Sequence, residues 1–170
     1  MGVFMLTRID NLEFKTIDLS EDRDIAVEFR EDSFVMSFGN ADLFYEADGK
    51  GDIRYLDFLA KKIAIDERFA VHVWENNQII GQIEIGTLKT DASIGYVNLY
   101  YLKKEKRGHG YAPLLNQYTD KVFKDMGLKK ARLSVSPTNS RAIKFYEKMK
   151  WVDLGPREDH PEVHFMEKVI

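Results

Sequence analysis

Apolar and polar positions along this chain keep changing rhythm between a period of two and a period near 3.6. Leu12 to Leu19, LEFKTIDL, alternates and reads as a strand. Ser20 is an N-cap candidate, and Glu21, Asp22 and Asp24 suit the positive end of a helix. The stripe Ile25, Ala26, Phe29 carries that helix to Phe34–Phe38, where Gly39-Asn40 ends it. An acidic, aromatic stretch with a turn at Asp48-Gly49 leads to a second helix over Ile53–Ile65, with Leu56, Leu59, Ala60 and Ile63 on one face. Phe69–Trp74 and Ile79–Thr87 read as a hairpin around Glu75–Gln78, and a turn at Lys89–Ala92 leads into the strand Ile94–Leu102. After a charged connection and two glycines, Leu114, Leu115, Tyr118, Val122 and Phe123 mark a helix that Gly127 stops. Then come a strand over Ala131–Ser136, a break at Pro137-Thr138-Asn139 and a helix striped by Ala142, Phe145, Tyr146 and Met149. The strands Trp151–Leu154 and Val163–Val169 close the chain.

The predicted order is β-α-α-β-β-β-α-β-α-β-β. Three strands joined by short turns form an antiparallel meander, and the strand–helix–strand step from Tyr96–Leu102 to Ala131–Ser136 is a parallel crossover. The expected class is α/β (α+β): a mixed, mostly antiparallel central sheet with helices on both faces. No linker or repeat interrupts it, so residues 1–170 are expected to form one domain.

Composition narrows the function. The 170 residues carry 25 basic and 28 acidic side chains, a net charge of −3 that argues against nucleic acid as the main partner. There is no cysteine, hence no disulfide framework and no protein thiolate. Among the four histidines, His160 and His164 are four apart but straddle Pro161 in an extended stretch, so no metal site is expected. The N-terminal MGVFMLTRID lacks a basic region followed by a long apolar run, and no stretch reaches membrane-spanning length; a cytoplasmic protein that does not engage a membrane is expected.

The chemistry concentrates between Tyr96 and Ala112, YVNLYYLKKEKRGHGYA. A strand, then Arg107-Gly108-His109-Gly110-Tyr111-Ala112, then a helix start place a nest of backbone N–H groups at a positive helix end, where phosphate oxygens satisfy them. Pro113 suits the first helical turn. The spacing is neither GxGxxG nor a P-loop. It is R-x-x-G-x-A, formed by Arg107, Gly110 and Ala112. It resembles the acetyl-CoA pyrophosphate loop of the general N-acetyltransferase (GNAT) superfamily. A second segment, NSRAIKFYEKMKW from Asn139 to Trp151, looks like the other GNAT signature: Asn139, Ala142 and Tyr146 match, Trp151 takes the aromatic place, and Lys150 stands where the family usually has glycine.

The resemblance implies transfer of an acetyl group from acetyl-CoA to an amine, by direct attack and without a metal. Arg107, Gly108, His109, Gly110, Tyr111 and Ala112 would cradle the pyrophosphate, Asn139 would lie beside the pantetheine arm, and backbone N–H at Tyr101–Leu102 would hold the thioester oxygen. Tyr146 would protonate the departing thiolate. Lys103, Lys104 and Lys106 are either a solvated run or contacts for the 3′-phosphate. Where several relatives carry a glutamate base, this chain has Tyr96; Glu84 on the preceding strand is the candidate base, directly or through water, with His72 as the alternative. Asn98 and Tyr100 share the Tyr96 face and would line the acceptor pocket. The acidic stretches Asp42–Asp52 and Glu158–Glu162 favour a cationic amine, leaving a protein N-terminus or lysine, a polyamine, an aminoglycoside and an amino-acid-like metabolite open. A CoA-binding module without turnover and an acyltransferase for longer chains are the competing readings. A doubly wound nucleotide-binding fold is disfavoured by the meander ahead of the glycine turn. An exposed sheet edge would permit a homodimer.

Overall fold

Among the described residues, the two rhythms fold into five helices and eight strands. A computed structural model describes residues 6–170; Met1–Met5, at the head of the N-terminal stretch considered above, lie outside the described residues. The strands are β1 (Leu6–Ile9), β2 (Leu12–Thr16), β3 (Ala70–Glu75), β4 (Gln78–Leu88), β5 (Asp91–Leu102), β6 (Lys130–Val135), β7 (Val152–Pro156) and β8 (His164–Val169). The helices are α1 (Arg23–Phe38), α2 (Asp42–Tyr45), α3 (Gly51–Ile65), α4 (Ala112–Asp125) and α5 (Ser140–Lys148). One sheet holds all eight strands in the order β1-β2-β3-β4-β5-β6-β8-β7. The pairs β1–β2, β2–β3, β3–β4, β6–β8 and β7–β8 are antiparallel, and β5 and β6 run parallel because α4 carries the chain back between them. This is the mixed, mostly antiparallel sheet that the periodicity predicts.

Four local features depart from expectation, the first being the one-turn helix α2, which the predicted order lacks. The hairpin partner β1 is not predicted: it is four residues long and leaves every second side chain exposed, so its apolar signal is faint. Helix α1 starts three residues after Ser20, because Asp18 captures both the Ser20 hydroxyl (2.6 Å) and its N–H (2.9 Å) in a local turn. Lys150 adopts φ 70°, the left-handed conformation in which most proteins place glycine. Its N–H donates to the Glu147 carbonyl (3.0 Å) and that of Trp151 to Tyr146 (2.9 Å), closing α5. The turn keeps its geometry without glycine.

Packing divides the chain into two compact units: residues up to Glu84 with Leu99–His109, and Ile85–Asn98 with Gly110–Ile170. In the first, α1, α2 and α3 bury Ala26, Phe44, Tyr55 and Leu59 together with Ile17 and Ala70. Phe29 of α1 joins Ile79, Leu99 and Tyr101 in a separate cluster. In the second, Leu115, Tyr118, Val122 and Phe123 of α4 are buried, as are Leu133 of β6, Met166 of β8 and Trp151. The β5–β6 register runs from Ile94↔Lys130 to Val97↔Leu133 and stops there, although both strands continue.

Candidate active site

In the first unit, β5 ends against β4. A Cβ on Gly81 would collide with the carbonyl oxygen of Tyr101, so this approach requires glycine. The Lys103 N–H donates to the Ile80 carbonyl (2.8 Å), fixing the strand's last residues. Tyr101 is buried and stacks on Phe29 with centroids 4.6 Å apart. Its hydroxyl donates to Asp32 Oδ2 of α1 (2.6 Å), and burial, reinforced by that carboxylate, pushes its pKa well up. A short 3-10 turn over Lys104–Lys106 follows.

Two basic residues of this connection, Lys106 and Arg107, are committed within the unit. Lys106 Nζ pairs with Glu75 Oε1 at 2.7 Å. Arg107 Nε donates to the Leu102 carbonyl (2.9 Å), its Nη2 meets Asp32 Oδ2 (3.2 Å), and its backbone N–H donates to Lys104 (3.3 Å). Lys103 and Lys104 border a hollow of about 520 Å³ that is also lined by Tyr101 and by Glu28, Glu31 and Asp32 of α1.

Glu84 lies deeper in the same unit, with no solvent exposure. Its Oε2 accepts from the Tyr55 hydroxyl of α3 and from Gln82 Nε2 (3.0 Å); its Oε1 faces Arg30 Nη1 of α1 at 3.8 Å. Gln82 Nε2 also donates to the Tyr55 hydroxyl (2.6 Å), which turns Gln82 Oε1 toward His72 Nε2 (2.8 Å). His72 therefore carries its proton on Nε2. Burial holds the His72 imidazole down at about 4, so it is neutral near pH 7. Burial also lowers Lys62 to about 8, against the attraction of Glu84, and raises the Tyr55 phenol far above its ordinary value.

The chain passes from one unit to the other between His109 and Gly110. Gly108 (φ 76°) and Gly110 (φ 83°) are both left-handed, and Gly108, His109 and Gly110 are exposed. Among the described residues, none accepts from the backbone N–H of Gly108, His109, Gly110 or Ala112. Tyr111 occupies the N-cap position of α4, Pro113 lies in its first turn, and that turn contains no acidic residue. The positive end of α4 thus lacks a compensating charge of its own.

In the second unit, Asn139 Oδ1 accepts from Ala142 N–H (3.1 Å) and caps α5. Tyr146, on the same helix, packs edge-on against Trp151 with centroids 6.1 Å apart. Burial pushes its phenol up to about 12. Tyr96 shares a 2.8 Å hydrogen bond with Ser134 Oγ, which also accepts from Arg157 Nη1 (2.8 Å). Arg157 in turn lies 4.4 Å over the Phe165 ring and pairs with Asp159.

The structure therefore links Tyr101 and Arg107 through Asp32 and Leu102 through Arg107, links Glu84 to His72 through Gln82, and sets Asn139 at the cap of the helix that carries Tyr146. Asp32, Arg30, Tyr55, Ser134 and Arg157 are not singled out by the sequence. None belongs to a local motif, and their partners are far away along the chain. Among the described residues, no group of three His, Cys, Asp or Glu is placed to hold a metal, and no helix is long and apolar enough to cross a membrane.

This strand order, with an exposed glycine turn opening α4, defines an acyltransferase that draws on coenzyme A. The chain belongs to the acetyltransferase (GNAT) family, whose model matches residues 28–151. Solved structures share the fold at low identity. The PaiA N-acetyltransferase of Thermoplasma acidophilum, in complex with coenzyme A, is 20% identical, with 94% of this chain and 99% of that one covered at a TM-score of 0.75. A spermidine N-acetyltransferase of Vibrio cholerae, in complex with CoA and spermine, is 18% identical, with 95% and 96% covered at 0.70. A GNAT-family acetyltransferase of Bacillus anthracis is 17% identical, with 97% and 98% covered at 0.69. No curated protein matches the chain.

Proposed function

We propose that this protein moves the acetyl group of acetyl-CoA to a primary amine of a cationic small molecule, with polyamines the leading class, in a ternary complex. The observation that carries the cofactor half is the set of backbone N–H groups of Gly108, His109, Gly110 and Ala112, which no described residue engages, at an uncompensated helix start. The pyrophosphate sits there, held by backbone groups of Gly108–Ala112 and not by the Arg107 N–H, which is spent on the Lys104 carbonyl, while Asn139 borders the pantetheine arm. The amine nitrogen attacks the thioester carbonyl carbon, and the oxygen that becomes negative is held by backbone N–H at Tyr101–Leu102. The C–S bond then breaks and CoA leaves as thiolate, which takes a proton from Tyr146. A phenol held near 12 keeps that proton across the physiological range. The proton lost by the amine passes to water. Glu84 receives it only through a water relay, since its carboxylate is fully enclosed. The hollow beside α1, bordered by Glu28, Glu31 and Asp32, supports a cationic acceptor. The spermine-bound Vibrio cholerae structure, of the same fold, supports the polyamine class.

The test is release of free thiol from acetyl-CoA with a panel of spermidine, spermine, an aminoglycoside, a lysine-terminated peptide and free amino acids. Amine-dependent thiol release, strongest with the polyamines, is expected. Acetyl-CoA binding without release for any amine would make the protein a CoA-binding module, and release only with longer acyl-CoAs would make it an acyltransferase of another donor.

A further inference from the structure

Arg107 opens the glycine turn, and its guanidinium is held by partners inside the first unit. One face is occupied by the Leu102 carbonyl (2.9 Å) and another by Asp32 Oδ2 (3.2 Å), with the group 5.5 Å over the Tyr101 ring. The same Asp32 oxygen accepts from the Tyr101 hydroxyl (2.6 Å). One carboxylate on α1 therefore ties together the end of β5 and the residue from which the turn departs. The aromatic stack of Tyr101 on Phe29, three residues before Asp32 on the same helix face, adds a second attachment between α1 and β5. Arg107 has no slack: its Nε, one terminal nitrogen and its backbone N–H all have partners inside the unit.

We infer that Asp32 is a positioning residue for the cofactor turn: it touches no part of acetyl-CoA but fixes Arg107, and through Arg107 the Leu102 carbonyl and the backbone that leads into Gly108. This rests on the reading of Gly108–Ala112 as the pyrophosphate cradle. The physical basis is pre-organisation. Backbone donors bind an anion well only when they are held in the binding geometry beforehand, and a turn with two left-handed glycines has many other geometries open to it. The charge-assisted pair on a half-buried arginine removes that freedom on one side of the turn.

The experiment compares wild type, Asp32→Asn, Asp32→Glu, Arg107→Met and the double variant Asp32→Asn/Arg107→Met. It measures acetyl-CoA affinity by calorimetry and amide hydrogen exchange of residues 102–109 in the ligand-free protein. Asp32→Asn is expected to weaken acetyl-CoA binding about tenfold, as the loss of a charge-assisted hydrogen bond would. Exchange in the turn should speed up by a similar factor, and KM for acetyl-CoA should rise. Asp32→Glu should lie nearer wild type than Asp32→Asn. The double variant should be no worse than Arg107→Met alone, because the effect of Asp32 runs through Arg107. Unchanged exchange in Asp32→Asn would overturn the inference. So would tighter binding, which would mean that a freed Arg107 serves the phosphates better than a braced one. If wild type binds no acetyl-CoA, the cradle reading fails, while the exchange comparison still decides whether Asp32 braces the turn.

Discussion

Glu84→Ala is expected to lower the unfolding free energy by about 3–5 kcal/mol, the range measured when one partner of a buried, hydrogen-bonded charge pair is removed. Glu84 has no exposed surface, and its side chain is the common acceptor of Tyr55 and Gln82 and the counter-charge of Arg30. Alanine leaves the Tyr55 hydroxyl and one Gln82 hydrogen buried without the acceptor they share, removes the carboxylate that faces Arg30, and opens a cavity. In a domain of this size the melting temperature should fall by about 10 °C. Glu84→Gln separates structure from chemistry. The amide still accepts from Tyr55 and Gln82, so it should cost well under half as much stability, while removing the carboxylate. Denaturant unfolding of both variants, with kcat of Glu84→Gln, completes the test. A Glu84→Ala protein within about 1 kcal/mol of wild type would show that the network is not a structural anchor. A Glu84→Gln protein with wild-type kcat would remove Glu84 from the proton path and leave water as acceptor.

Tyr146→Phe is expected to lower kcat about a hundredfold, the low end of what a positioned general acid contributes. The fold and the KM for acetyl-CoA should change little, since phenylalanine keeps the ring against Trp151. Because burial raises the phenol to about 12, its deprotonation lies beyond the usual assay range, and Tyr146 should add no alkaline limb to the wild-type pH profile below about pH 11. A Tyr146→Phe enzyme with unchanged kcat would mean that the thiolate leaves unprotonated or takes its proton from water.

The parts of this account that rest on local patterns were legible beforehand. The meander of β3, β4 and β5 follows from alternation and turn residues, and α4 and α5 from their apolar stripes, that of α4 closed by Gly127. The glycine turn and the Asn139–Tyr146 segment are short, contiguous motifs, so one chain suffices to see them. What was not legible depends on distance along the chain. Asp32 and Arg107 are 75 residues apart, and nothing near either one announces the other. Tyr55 and Glu84 are 29 residues apart. In β4 almost every residue is buried on both faces, so alternation could not separate a solvated Glu84 from an enclosed one. Ser134 reaches Tyr96 because β5 and β6 pair, and Arg157 reaches Ser134 because the β7–β8 hairpin pairs with β6.

The central claim is that the turn from Arg107 to Ala112 holds acetyl-CoA, and calorimetric titration of acetyl-CoA into wild type and Gly110→Trp tests it most directly. Gly110 stands at φ 83° with nothing within 4 Å of where a Cβ would sit, so a tryptophan there both strains the turn and covers its N–H groups. The account predicts about micromolar affinity for the wild type and loss of measurable binding in a folded variant. Equal affinity in both proteins would place the cofactor elsewhere. A folded wild type that binds neither acetyl-CoA, CoA nor longer acyl-CoAs would contradict the account outright.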